Sequence, residues 1–267
     1  MDFFKKMNFF EKKLYENGVG GEILKDDYVK ICTTTTDFLA EKLRMYNKKV
    51  FVVKNKLPES DLQMVSEIEI NNEAERYFAQ EAVVLGYFSG AHSHDKDFST
   101  IENVIIDLFK KFDKLRLFLG GPLEISEKFD NYKNRIVKIP YVPRRENYKN
   151  IAGIDINLAP LEKDNPFCEA KSELKFFEAG ILKKPTVATA TQTFKEAIDD
   201  GINGFVAENE TEWRDKLEKL IANGYLRKQM GERACEKSKK IYTNKIGGKL
   251  DEEYFNYLKT RLKEIGE

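Results

Sequence analysis

Both histidines of the chain fall in one short loop, Ser89-Gly90-Ala91-His92-Ser93-His94-Asp95-Lys96, directly after the apolar run at residues 83–88. Gly90 lets a ligand approach the backbone closely, and a following helix would offer unpaired N–H groups to an anion. That pattern fits the binding of a phosphorylated group. A metal is the other chemistry that neighbouring histidines bring to mind, but no further cluster of ligands accompanies them. The plain alternative is a strand-to-helix turn with incidental polar residues.

A second cluster lies in Phe167-Cys168-Glu169-Ala170-Lys171-Ser172-Glu173-Leu174-Lys175-Phe176-Phe177-Glu178. With a helix starting near Ser172, Lys171 and the first amides would face strand ends in a manner suited to a diphosphate. Lys175 and Glu178 are three residues apart and share a helical face. The glutamate could accept hydrogen bonds from a ribose, and the lysine could neutralise phosphate. The competing reading is an ordinary surface ion pair on an amphipathic helix. The third segment, Ile139-Pro140-Tyr141-Val142-Pro143-Arg144-Arg145, could present backbone groups and an aromatic edge to a base, or be only a rigid surface turn.

These residues need a frame. Short apolar runs at residues 83–88, 115–119, 136–139, 154–158, 185–189 and 204–206 read as strands. Between most of them lie helical segments, including the stripe Ile101, Val104, Ile105, Leu108, Phe109 and Phe112 and the segment 172–179. This alternation calls for a doubly wound α/β domain, a parallel sheet covered on both faces. Trp213, Leu217, Leu220 and Ile221 line a later helix, and Leu250, Tyr254, Tyr257, Leu258 and Leu262 line the last. Upstream, a helix within residues 1–26 ends near Asn17, with a turn at Gly20-Gly21. A strand within residues 29–36, a helix at 37–46 capped by Asp37 and a strand at 50–53 follow. Residues 59–79 read as a polar linker ending in a short helix. The expected organisation is an amino-terminal segment and linker at 1–75, a ligand-binding domain at 76–245 and a carboxy-terminal helix at 246–267.

Composition bounds the function classes. The 45 basic and 45 acidic side chains cancel, so no global field draws the chain to nucleic acid. No run of about 18 apolar residues exists, and the start lacks the pattern of a signal peptide. Three scattered cysteines, Cys32, Cys168 and Cys235, argue against a disulfide framework or a zinc site. The expected setting is cytoplasmic, with peripheral contact at the inner face of the membrane left open.

At the three segments the sequence resembles retaining GT-B glycosyltransferases of the glycosyl transferases group 1 type (family 4). The resemblance rests on the loop after residue 86 and on Ile154-Asp155-Ile156-Asn157-Leu158-Ala159-Pro160-Leu161. It continues through residues 171–180, Lys184-Pro185-Thr186-Val187-Ala188-Thr189, and Asp200-Gly201-Ile202-Asn203-Gly204-Phe205-Val206. It extends over residues 28–240, with the early part similar to the end of the family's amino-terminal domain. It implies a GT-B-like fold whose Rossmann-like, carboxy-terminal domain binds a nucleoside diphosphate sugar such as a UDP-, GDP- or dTDP-sugar. It also implies transfer to a glycan, lipid-linked or protein acceptor, without a metal or other cofactor.

Carried over by position, Glu178 would bind the ribose, and Lys171, Ser172 and Gly90 would surround the diphosphate. Lys96 or Lys175 would supply positive charge, Tyr141 and Val142 would hold the base, and His94 would lie near the sugar or phosphates. The family's first glutamate would fall at position 170, which is Ala170, so the sugar-facing role passes to Glu169 one residue earlier. Only about 75 residues precede the donor domain, a short or truncated acceptor portion. The acceptor site would then lie in a missing domain or on a partner subunit. The alternative is a nucleotide-sugar-binding subunit inactive on its own. A UDP-sugar epimerase shares the architecture but would need a fuller amino-terminal domain. A dinucleotide oxidoreductase lacks its Gly-x-Gly-x-x-Gly.

Overall fold

The computed structural model describes residues 19–90, 95–243 and 249–265. The helix expected to end near Asn17 and both histidines lie outside the described residues. The first elements are α1 (Val19–Lys25), β1 (Ile31–Thr34), α2 (Asp37–Arg44), β2 (Lys49–Val52) and α3 (Glu59–Ile70). Next come β3 (Val83–Phe88), α4 (Asp95–Ser99), α5 (Glu102–Lys111), β4 (Leu115–Gly120), a 3-10 helix (Glu127–Arg135) and β5 (Ile136–Ile139). Then follow α6 (Arg144–Gly153), β6 (Ile156–Ala159), α7 (Pro166–Glu169), α8 (Leu174–Gly180), β7 (Thr186–Thr189) and α9 (Gln192–Ala197). The chain closes with β8 (Phe205–Ala207), α10 (Glu210–Ala222), α11 (Gly224–Ile241) and α12 (Lys249–Ile265).

The chain divides into two compact units, residues 1–55 with 247–267 and residues 56–246. In the first, β1 and β2 pair in parallel through the α2 crossover. Thr36, rather than Asp37, caps α2, its hydroxyl accepting from the Leu39 amide at 3.2 Å. Thr36 holds the extended backbone a capping residue needs, whereas Asp37 already starts the helix. The expected turn at Gly20-Gly21 is instead the first turn of α1, where amides need no intrahelical partner. The Tyr254 and Tyr257 rings of α12 each stand 5.2 Å from Phe51 of β2.

The second unit is a six-stranded, wholly parallel sheet in the order β5-β4-β3-β6-β7-β8. Leu85, Tyr87, Leu117, Leu119, Ile156 and Leu158 point into one core with α5 and α10. Ala159 and Ala188 enter the other core with α3, α6, α8, α9 and α11. Burial of apolar side chains on both faces is what a parallel sheet requires, and the doubly wound α/β expectation is met. Residues 59–70, expected to be linker, form α3, which buries Asp61, Val65 and Ile68 along one side. Leu57 donates its amide to the Tyr242 carbonyl at 2.7 Å. Residues 56–75 therefore pack with the sheet, ahead of the boundary expected at 76.

Candidate active site

In the sheet the chain leaves β3 toward β4 on one side and β6 toward β7 on the other, so the crossovers diverge between β3 and β6. A crevice opens beyond the carboxyl ends of strands at such a point, where ligands of open α/β sheets bind. A cleft of about 400 Å³ lies there. Phe88 at the end of β3 with Ser89 and Gly90 beyond it, Gly120 at the end of β4 with Gly121 beyond it, and Pro140, Tyr141 and Val142 beyond β5 form one wall. Arg144, Asn147 and Ile151 of α6, Asn157 of β6, and Leu174, Lys175 and Glu178 of α8 form the other.

Local sequence explains the shape. Gly121 has φ +92°, and a Cβ there would stand 1.9 Å from the Ser89 carbonyl oxygen, so only glycine permits this approach of two strand ends. Among the described residues nothing lies within 4 Å of where a Cβ at Gly90 would stand. Asn157, a polar residue in an otherwise apolar strand, donates to the Lys175 carbonyl at 3.0 Å and to Thr186 Oγ1 at 3.1 Å. It ties the start of α8 to β6 and β7.

Four charged groups define the electrostatics. Lys175 donates its Nζ to the Phe88 carbonyl and lies 4.6 Å from the Tyr87 ring centroid. Burial pushes this ammonium down to about 8, against the pull of Glu178 and Asp97. Burial likewise raises the Glu178 carboxyl above its ordinary range, while Arg144 and Lys175 draw it back. Arg144 Nη2 stands 3.2 Å from Glu178 Oε1. Arg144 is in turn bound to Asp61 through Nε at 2.8 Å and through Nη2.

The structure brings Gly90, Tyr141, Val142, Lys175 and Glu178 together around the cleft. Lys96, Glu169, Lys171 and Ser172 are not among its lining residues. Lys171 Nζ stands 2.7 Å from Asp97 Oδ2, and Asp97 also accepts from Cys168 Sγ at 3.3 Å. Glu169 Oε2 accepts from the Gln192 amide at 3.3 Å. Ser172 is half-buried and Lys96 exposed, while His94 lies outside the described residues. The helix expected from Ser172 begins at Leu174, because Glu173 takes non-helical torsions (φ −79°, ψ 24°) and its carboxylate receives the Tyr242 hydroxyl at 2.9 Å. The sequence shows Arg144 and Asn157 only within longer segments and assigns neither a role. The polar interruption of a buried strand was the available signal for Asn157. Among the described residues no group of three or more His, Cys, Asp and Glu is arranged to hold a metal ion. No helix among them is long and apolar enough to cross a membrane.

The six-stranded parallel sheet defines a GT-B-like, Rossmann-like α/β fold. The model for glycosyl transferases group 1 matches residues 82–223, just over half of the chain, and the chain belongs to that family. It is 29% identical over 163 residues to an uncharacterized glycosyltransferase of Methanocaldococcus jannaschii, covering 58% of this chain and 43% of that one. Among solved structures it resembles sucrose-phosphate synthase from Thermosynechococcus elongatus, with TM-score 0.66, 9% identity, and coverage of 98% of this chain and 64% of the other. Anabaena HepE in complex with UDP gives TM-score 0.63 at 12% identity, over 86% of this chain and 64% of the other. S. aureus TarM, solved with fondaparinux, alpha-GlcNAc-glycerol and UDP, gives 0.64 at 16% identity, over 94% and 48%. The chain thus spans less than half of the curated relative and less than two thirds of these structures.

Proposed function

We propose that residues 56–246 form the carboxy-terminal-type donor domain of a retaining, metal-independent hexosyltransferase. It moves a sugar from a nucleoside diphosphate sugar to a glycan, lipid-linked or protein acceptor in polysaccharide biosynthesis. The observation that carries this reading is the placement of a half-buried ammonium, Lys175, and a half-buried carboxylate, Glu178, one helical turn apart on a cleft at the sheet's switch point. Glu178 takes the ribose hydroxyls, and the Gly90 backbone and Lys175 take the diphosphate. The edge formed by Pro140, Tyr141 and Val142 takes the base. As the glycosidic bond breaks, charge grows on the leaving diphosphate while the sugar becomes oxocarbenium-like. A fixed ammonium in a partly dry cleft stabilises that charge without reorganising. UDP and UDP-glucose in the HepE structures support the donor class. Calorimetry with UDP, GDP and dTDP is the test: one should release binding heat, with affinity unchanged by a chelator. Silence from all three at millimolar concentration overturns the reading.

A second reading, a domain that binds the donor and transfers nothing by itself, is favoured by one observation. Position 170 is alanine, and the Glu169 carboxylate is engaged at the Gln192 amide, so the described cleft has no carboxylate on its sugar side. Transfer and hydrolysis assays with the bound sugar nucleotide, with and without a partner subunit carrying the acceptor site, separate the two.

A further inference from the structure

Behind Glu178 lies a charged cluster that nucleotide binding alone does not require. Asp61, on α3, is 2% exposed. It accepts from Arg144 Nε at 2.8 Å, from Arg144 Nη2, and from the buried Tyr148 hydroxyl at 2.9 Å. Tyr148 also lies 3.0 Å from Arg144 Nη2. The same Nη2 reaches Glu178 Oε1 at 3.2 Å, so one guanidinium serves two carboxylates from two helices.

Arg144 is half exposed at the cleft rim, where a guanidinium without a buried anchor would be a mobile surface cation whose pairing contributes little. Its hold through two nitrogens on one oxygen of a buried carboxylate removes that freedom beforehand. A buried ion pair is a poor way to gain stability, since apolar residues of similar volume often serve as well or better. What this cluster does supply is direction. The charged or titratable groups facing Glu178 are Arg144 and Tyr148 from α6, Asp61 from α3 and Lys175 from its own helix. Burial and Asp61 disfavour its charge, and Arg144 and Lys175 favour it.

We propose that Asp61 is a positioning residue of the donor site: with Tyr148 it fixes Arg144, which keeps Glu178 ionised and turned toward the ribose. The inference rests on the donor-site reading for the ribose, but the clamp itself is measurable without nucleotide. The experiment is a carbon-13 titration of the Glu178 carboxyl in the full chain, assigned with Glu178→Gln. It is run on the wild type, on Asp61→Asn and on the double variant Asp61→Asn/Arg144→Gln, with UDP, GDP and dTDP affinities measured alongside. The double variant guards against a fold lost through an unpaired buried charge.

In Asp61→Asn the guanidinium loses its anchor and swings away from Glu178, so the titration midpoint should rise by about half a pH unit or more; a fall, which loss of the Asp61 charge alone would give, overturns the proposal. In the double variant, which lacks the guanidinium altogether, it should lie close to that of Asp61→Asn and above that of the wild type. Nucleotide affinity of Asp61→Asn at neutral pH should weaken about threefold or more as the anchor loosens. A weaker affinity with an unmoved midpoint marks a merely structural Asp61 and overturns the proposal, as does an unmoved midpoint in every folded variant. Midpoints that move while the wild type binds none of the three nucleotides overturn the donor-site reading and the ribose role together, a result distinct from loss of the clamp.

Discussion

Glu178 and Lys175 sit one turn apart on α8, both half-buried, and desolvation moves their ionisation toward each other. The carboxyl rises from its ordinary range and the ammonium comes down to about 8. In the proposed donor site the carboxylate takes the ribose and the ammonium the diphosphate, so nucleotide affinity should be highest between the two. Above pH 8 the free protein loses the Lys175 proton, and affinity should fall by up to about tenfold per pH unit. Below the raised Glu178 value it should fall again as the carboxylate is protonated. Calorimetry across pH 5 to 9.5 checks both limbs, and a flat profile would remove these residues from the site. Substituting Glu178→Ala should weaken nucleotide binding by about 1–3 kcal/mol, the worth of charge-assisted hydrogen bonds to the ribose. The protein should remain folded, since Arg144 keeps Asp61 as its partner.

Among the glycines lining the cleft, Gly121 makes the tightest passage. Substituting Gly121→Ala places a methyl group 1.9 Å from the Ser89 oxygen at a φ of +92°, so one strand end must move. The expected cost is about 1–3 kcal/mol in denaturant unfolding together with a clear loss of nucleotide affinity. A variant of unchanged stability and affinity would show that the passage is not needed. At this scale the sequence was informative where chemistry repeats locally. The strands were legible because apolar runs buried on both faces differ from anything on a surface, and the line from Gly90 to Tyr141, Lys175 and Glu178 followed from where those runs end. Helix α3 was not legible, because the charged Asp61 occupies one of its buried positions and breaks the apolar stripe. Nor was the start of α8, which depends on Glu173 meeting Tyr242 from a distant helix. The partner that gives Arg144 its role, Asp61, lies 83 positions away along the chain, beyond the reach of any local pattern.

As a whole the molecule carries no net charge, so on the proposed function attraction of an anionic donor would rest on cations placed at the cleft rather than on a general field. The sheet unit has cores on both faces and closes its own chain ends through Leu57 and Tyr242. Residues 56–246 produced alone should therefore unfold cooperatively and keep the nucleotide affinity of the full chain within a factor of about three. An insoluble or non-binding fragment would show that the donor site depends on the remaining residues. The central claim is that a nucleoside diphosphate lies in the cleft between β3 and β6, and a crystal structure with the tightest-binding nucleotide tests it most directly. Electron density for the diphosphate beside Gly90 and Lys175, with the ribose on Glu178, is the predicted result. Nucleotide seated elsewhere, or a cleft left to solvent at saturating concentration, would contradict it.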